Sequence, residues 1–87
     1  MRYEDIDPAF DPLMKNLTTD STEIIGVHAP ESRIYFSING SRRKGLNTDI
    51  GGKFEFTIES LEIGDIILFE YKVRDEYEEF WKEIIRE

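Results

Sequence analysis

The chain has 87 residues, enough for one domain and too few for two independent cores, with nineteen acidic against eleven basic side chains and a formal charge of -8. That balance repels phosphate backbones and anionic bilayers, so no nucleic acid partner is expected, and the absence of a long apolar run leaves no membrane insertion to expect. With no cysteine there is neither a disulfide nor a Cys-ligated zinc, so stability rests on aromatic and aliphatic packing.

Residues 1–20 hold Pro8, Pro12 and four aspartates in no sustained period, and read as a leader or linker that Phe10, Leu13 and Leu17 are able to pin to the body. The segment is acidic, unlike the basic-then-hydrophobic order of a signal peptide. The domain proper is expected over residues 21–87. A first strand runs from Glu23 to Ala29, ended by Pro30-Glu31-Ser32, and a second from Arg33 to Ile38, where Ile34, Phe36 and Ile38 alternate with polar neighbours. Asn39-Gly40 suits a two-residue type I′ turn, because both central positions need positive φ. The third strand is then expected from about Ser41 to Asn47.

Asp49-Ile50-Gly51-Gly52 is a second turn and Lys53 to Ile58 the strand after it, with Lys53, Glu55 and Thr57 outward. After Leu61-Glu62-Ile63-Gly64-Asp65, Ile67, Phe69, Tyr71 and Val73 share one face of a strand, and Ile66, Leu68, Glu70 and Lys72 the other. The start of that strand is apolar on both faces, as in a strand covered on both sides. The tail, Asp75 to Glu87, has two readings. Tyr77, Phe80, Trp81, Ile84 and Ile85 fall at helical spacing behind an Asp75/Glu78 capping pair, whereas its aromatic and β-branched residues suit a final strand from Phe80 to Arg86.

The expected class is therefore all-β, an antiparallel sandwich. Thr22-x-Ile24-x-Gly26-x-x-x-Pro30-x-Ser32-x-Ile34, Ile38-Asn39-Gly40, Thr48-Asp49-x-Gly51-Gly52-x-Phe54-x-Phe56, Leu61-x-x-Gly64-Asp65-x-Ile67-x-Phe69 and Asp75 follow in an order that resembles the bacterial immunoglobulin-like domains of surface proteins and adhesins. The likeness covers residues 18–87. It implies an immunoglobulin-like β-sandwich, extracellular or at the cell surface, that spaces or presents neighbouring domains of its chain without catalysis. Where that family commonly carries Gly-Asn after the Asp, this chain has Glu78-Glu79. Thr48-Asp49-x-x-Gly52-x-Phe54-x-Phe56 with Leu61-x-x-Gly64-Asp65 is also similar to the transthyretin-like regulatory type of sandwich, likewise mostly non-catalytic.

No catalytic residue and no bound cofactor are expected. His28 is the single histidine, which with no cysteine excludes a zinc constellation or a His-based triad, and it suits the surface end of a strand. Ser21, Ser32, Ser37, Ser41 and Ser60 lie in no nucleophile-elbow pattern and read as turn or strand-face residues. Asp20, Asp49, Asp65 and Asp75 fall near loops and are the candidate calcium ligands, set against aspartates that bond their own turns. Arg42-Arg43-Lys44 reads as a solvated strand face or a charged edge that blocks sheet-to-sheet pairing, set against a local anion contact. Asn16-Leu17-Thr18 and Asn39-Gly40-Ser41 match the N-glycosylation acceptor pattern. Tyr77, Phe80 and Trp81 have two roles open to them: closing the core, or contacting a protein or glycan partner at the cell surface.

Overall fold

The computed structural model describes residues 2–86, and these form six strands and no helix. The strands are β1 (Glu23–Val27), β2 (Arg33–Ile38), β3 (Lys44–Asn47), β4 (Lys53–Thr57), β5 (Ile66–Val73) and β6 (Glu76–Ile84). Every pairing is antiparallel: β1 with β4 in one sheet, and the order β3-β2-β5-β6 in the other. The β2–β3 and β5–β6 links stay within a sheet, while β1–β2, β3–β4 and β4–β5 cross between sheets. Connections that cross between two antiparallel sheets in this way are compatible with a β-sandwich.

The alternation read from the sequence places the core. Ile24 and Phe54 from the first sheet meet Ile34, Phe36, Ile67 and Phe69 from the second. The Phe36 and Phe56 rings stack 3.7 Å apart, and Phe54 and Phe69 tilt together at 6.0 Å. Connections close the ends of this core with Leu17, Ile58, Leu61 and Ile85, all buried.

β1 ends at Val27 and β4 at Thr57, each short of the expected end, and the β2–β3 hairpin differs more. Asn39 and Gly40 have φ of 52° and 74°, as a type I′ turn requires, and Ser41 N–H donates to Ile38 O at 3.0 Å. Phe36 nevertheless pairs with Lys44, so the hairpin holds one residue more than a two-residue loop, and β3 starts at Lys44 instead of Ser41. Ser41 Oγ accepts the Ile38 N–H at 3.2 Å, and Asn39 is drawn to β5: its N–H donates to Ile66 O and its Oδ1 accepts from Ile66 N–H. The strand start is thereby displaced by bonds that no local pattern announces.

The tail is a strand, not a helix. The reason it reads as helical is a β-bulge: Phe69 pairs with Trp81 and Glu70 with Glu79, leaving Phe80 as an extra residue on β6. A bulge turns two successive side chains the same way, and Phe80 and Trp81 both pack against the core. Consecutive inward residues imitate helical spacing, which strict alternation would have forbidden.

Residues 2–20, expected as a leader or linker, run along the body and contribute to it. Val27 N–H donates to Pro12 O at 2.7 Å and Met14 N–H to Ile25 O at 3.0 Å, so residues 12–14 lie beside β1 as a short additional rung. Gly26 makes the approach possible, since a Cβ there would lie 2.6 Å from Pro12 O and 2.4 Å from the Phe54 ring. Leu13 and Leu17 are buried as the sequence suggests, but Phe10 is 72% exposed.

A buried ionic network ties the same segment to β6. Glu83 pairs with Ile67 on the core side of the sheet and is only 3% exposed. Arg2 Nη2 donates to Glu83 Oε1 at 2.6 Å and Arg2 Nε to Asp11 Oδ2 at 2.8 Å, while Trp81 Nε1 donates to the same Glu83 oxygen at 2.9 Å. Arg2 Nη1 completes its fork on Lys15 O and Asn16 Oδ1. Burial opposes the charge on Arg2, but the bonds to Glu83 and Asp11 outweigh it and hold the guanidinium above its ordinary basicity. Removing one partner of such a group leaves an uncompensated buried charge. Arg2→Met is therefore expected to lower the urea-unfolding free energy by about 3–5 kcal/mol, and R2M/E83Q to recover part of that loss. A loss below about 1 kcal/mol for the single variant would show the network to be a surface ion pair in all but position.

Candidate functional site

The four candidate calcium ligands sit on four different connections: Asp20 before β1, Asp49 between β3 and β4, Asp65 before β5 and Asp75 in the β5–β6 turn. Two of them are engaged by their own turns. Asp49 Oδ1 accepts from the N–H groups of Gly51 and Lys53, both at 2.9 Å. Asp65 Oδ2 accepts from Glu62 N–H at 2.8 Å and its Oδ1 from Asn39 Nδ2 at 2.9 Å. Among the described residues, no group of three His, Asp or Glu side chains is placed to hold a metal ion.

His28 follows β1 and stacks on Phe80 with ring centroids 4.1 Å apart, and burial pushes its imidazole below the usual histidine range. The hydroxyls of Ser21, Ser32 and Ser41 bond nearby backbone at Thr18, Pro30 and Ile38. Thr48, buried between two loops, accepts from Ser32 N–H and donates to Ala29 O, both at 2.7 Å. Asn16 Oδ1 holds Arg2 and Tyr3 N–H.

The aromatic trio divides between two faces. Phe80 and Trp81 lie against the core, Trp81 bonded to Glu83, whereas Tyr77 pairs with Lys72 and faces away from it. The register places Tyr35, Glu70, Lys72 and Tyr77 together on the outer face of the four-stranded sheet. There Tyr35 and Tyr77 meet edge to face, centroids 5.0 Å apart at 89°. Arg43 lies over Tyr77 at 4.0 Å and donates to both oxygens of Glu70, at 2.9 and 3.3 Å. Lys72 Nζ and the Arg33 guanidinium stand 5.6 Å from the Tyr77 and Tyr35 rings respectively. Glu70, 6% exposed, is covered by this cluster. Cation–π contacts and bidentate pairing both fix side chains that would otherwise be mobile, so the face is pre-arranged.

No protein-family model matches the chain, and neither a curated protein nor a solved structure shows significant similarity to it.

Tyr35, Arg33 and Lys72 were not singled out by sequence reasoning. The available signal was their parity: Arg33 and Tyr35 alternate with inward Ile34 and Phe36, and Lys72 alternates with Tyr71 and Val73. Arg42-Arg43-Lys44 does stand beside an edge strand, and its middle member reaches across to Glu70.

The bonds from Glu62 N–H and the Asn39 amide hold the Asp65 carboxyl below the usual carboxylate range, with burial acting weakly the other way. A folded-state pKa below the unfolded one means that this group's stabilisation is present above about pH 4 and disappears as pH falls through the folded value. Asp65→Asn is accordingly expected to be less stable than the parent chain at pH 7, with the gap closing below about pH 4 in urea titrations at each pH. A gap that stays constant down to pH 2 would contradict the assignment.

Proposed function

We propose that the chain is a non-enzymatic structural or adhesive module of a bacterial surface or secreted protein, one that spaces or presents neighbouring domains. The single observation that carries this reading is how the chain uses its reactive groups. Asp49 and Asp65 cap turns, Arg2, Asp11 and Glu83 bind the N-terminal segment to β6, His28 stacks on Phe80, and Thr48 joins two loops. In each case the group that chemistry would require is held by the fold's own hydrogen bonds and packing.

The two antiparallel sheets around one continuous core are compatible with the same reading. Fold alone does not determine role; the proposed location rests on the resemblance to bacterial surface domains, and the structural use of the polar groups supports a role without turnover. One surface depression, lined by Arg2, Tyr3, Ile6, Pro8 and Leu13, is formed by the N-terminal segment itself.

Surface labelling tests the location. In intact cells of the parent organism, an antibody raised against the folded domain is expected to bind from outside, and externally added protease to remove the epitope. An epitope recovered entirely in the cytosolic fraction, protected until the cells are lysed, would overturn the reading.

A further inference from the structure

We propose that the outer face of the four-stranded sheet binds an acidic polysaccharide, with Arg33 and Lys72 as the cations that meet its carboxylates and Tyr35 and Tyr77 as the aromatic side chains beside them. In a chain of formal charge -8, the outer face carries Arg33, Arg43 and Lys72, with Lys82 opposite Leu68, against Glu70 and Glu79. Among the described residues, Arg43 is committed to Glu70, while Arg33 and Lys72 have no carboxylate within ion-pair distance. They stand instead at the two aromatic rings. The result is a locally positive, aromatic surface on an otherwise acidic protein.

A second feature concerns Arg33. Gly45 lies in the middle of β3, where a glycine commonly marks a close approach. The Arg33 guanidinium rests over Gly45, bonded to Asn47 Oδ1 at 3.3 Å, and a Cβ at position 45 would make this flexible side chain shift.

The choice of a sugar polymer over an acidic peptide follows from what the face offers. The main-chain groups of β2 and β5 are paired on both sides, so a peptide laid on this face gains no backbone hydrogen bonds. Sugar rings need none: a uronate carboxylate accepts charge-assisted bonds from Arg and Lys. Glu79, on the same face opposite Glu70, disfavours close approach of acid at the β6 side and directs the carboxylates toward Arg33 and Lys72. The site stands whether or not the domain is a spacer.

The test is an NMR titration of the full chain with oligogalacturonate at about 0.15 M salt, where interactions beyond about 8 Å are screened. Saturable shifts are expected at the amides of Tyr35, Gly45, Lys72 and Tyr77. R33Q/K72Q, which touches no core contact, is expected to keep the parent's melting temperature and bind at least about tenfold more weakly. Gly45→Val, which preserves every charge but displaces Arg33, is expected to weaken binding as well. Absence of saturable shifts, or unchanged affinity in R33Q/K72Q, would overturn the site. An equal response to neutral dextran or to poly-L-glutamate would overturn the assignment to an acidic sugar.

Discussion

A carboxylate sits where the alternation of β6 calls for a hydrophobic side chain, and the architecture of the whole domain is arranged around it. Glu83 faces the core opposite Ile67 with almost no exposure. An ionised group in that position is untenable without a partner of opposite charge and further hydrogen bonds. Arg2, from 81 residues away in sequence, supplies the charge, Trp81 a second donor, and Asp11 balances the other side of the guanidinium. Because the partner comes from the beginning of the chain, the first twenty residues cannot be dispensable. Their path beside β1, the burial of Leu13 and Leu17 and the close approach at Gly26 hold the segment on the body that Arg2 joins.

The strands were legible in the sequence because each central one alternates cleanly: Ile34 and Phe36 in β2, Phe54 and Phe56 in β4, Ile67 and Phe69 in β5. Turn chemistry was equally legible at Asp49, whose carboxylate bonds two amides of its own turn. What escaped was long-range. The N-terminal segment has no period because it is attached at scattered points, by the pairing of residues 12–14 beside β1, the burial of Leu13 and Leu17, and the ion pairs of Arg2, Asp5 and Lys15, none of which imposes a repeat. The tail's ambiguity came from a bulge, which places Phe80 and Trp81 on one side and so breaks the parity that distinguishes strand from helix. The start of β3 slipped because Asn39 bonds β5 as well as its own turn.

Of the residues considered for function, Tyr77 emerges on the solvent face while Phe80 and Trp81 close the core, so the trio is not one surface. Its place is taken by Tyr35 and Tyr77 with their cations, residues brought together by sheet register from positions more than forty apart. Asp49 and Asp65 bond their own turns and Glu83 joins the buried network, while Arg33, Arg43 and Lys72 stand beside Tyr35 and Tyr77 on the outer face of the four-stranded sheet.

Native-state hydrogen exchange reads most directly whether the N-terminal segment belongs to the cooperative core. The Met14 and Val27 amides, which bond Ile25 O and Pro12 O across the junction, are compared with the amide of Phe69 in the central strand. If Arg2 and Glu83 bind the segment into the sandwich, all three exchange with the same opening free energy and the same urea dependence, that of global unfolding. Exchange of Met14 and Val27 orders of magnitude faster than Phe69, with little urea dependence, would mean that the segment frays independently and would contradict the account.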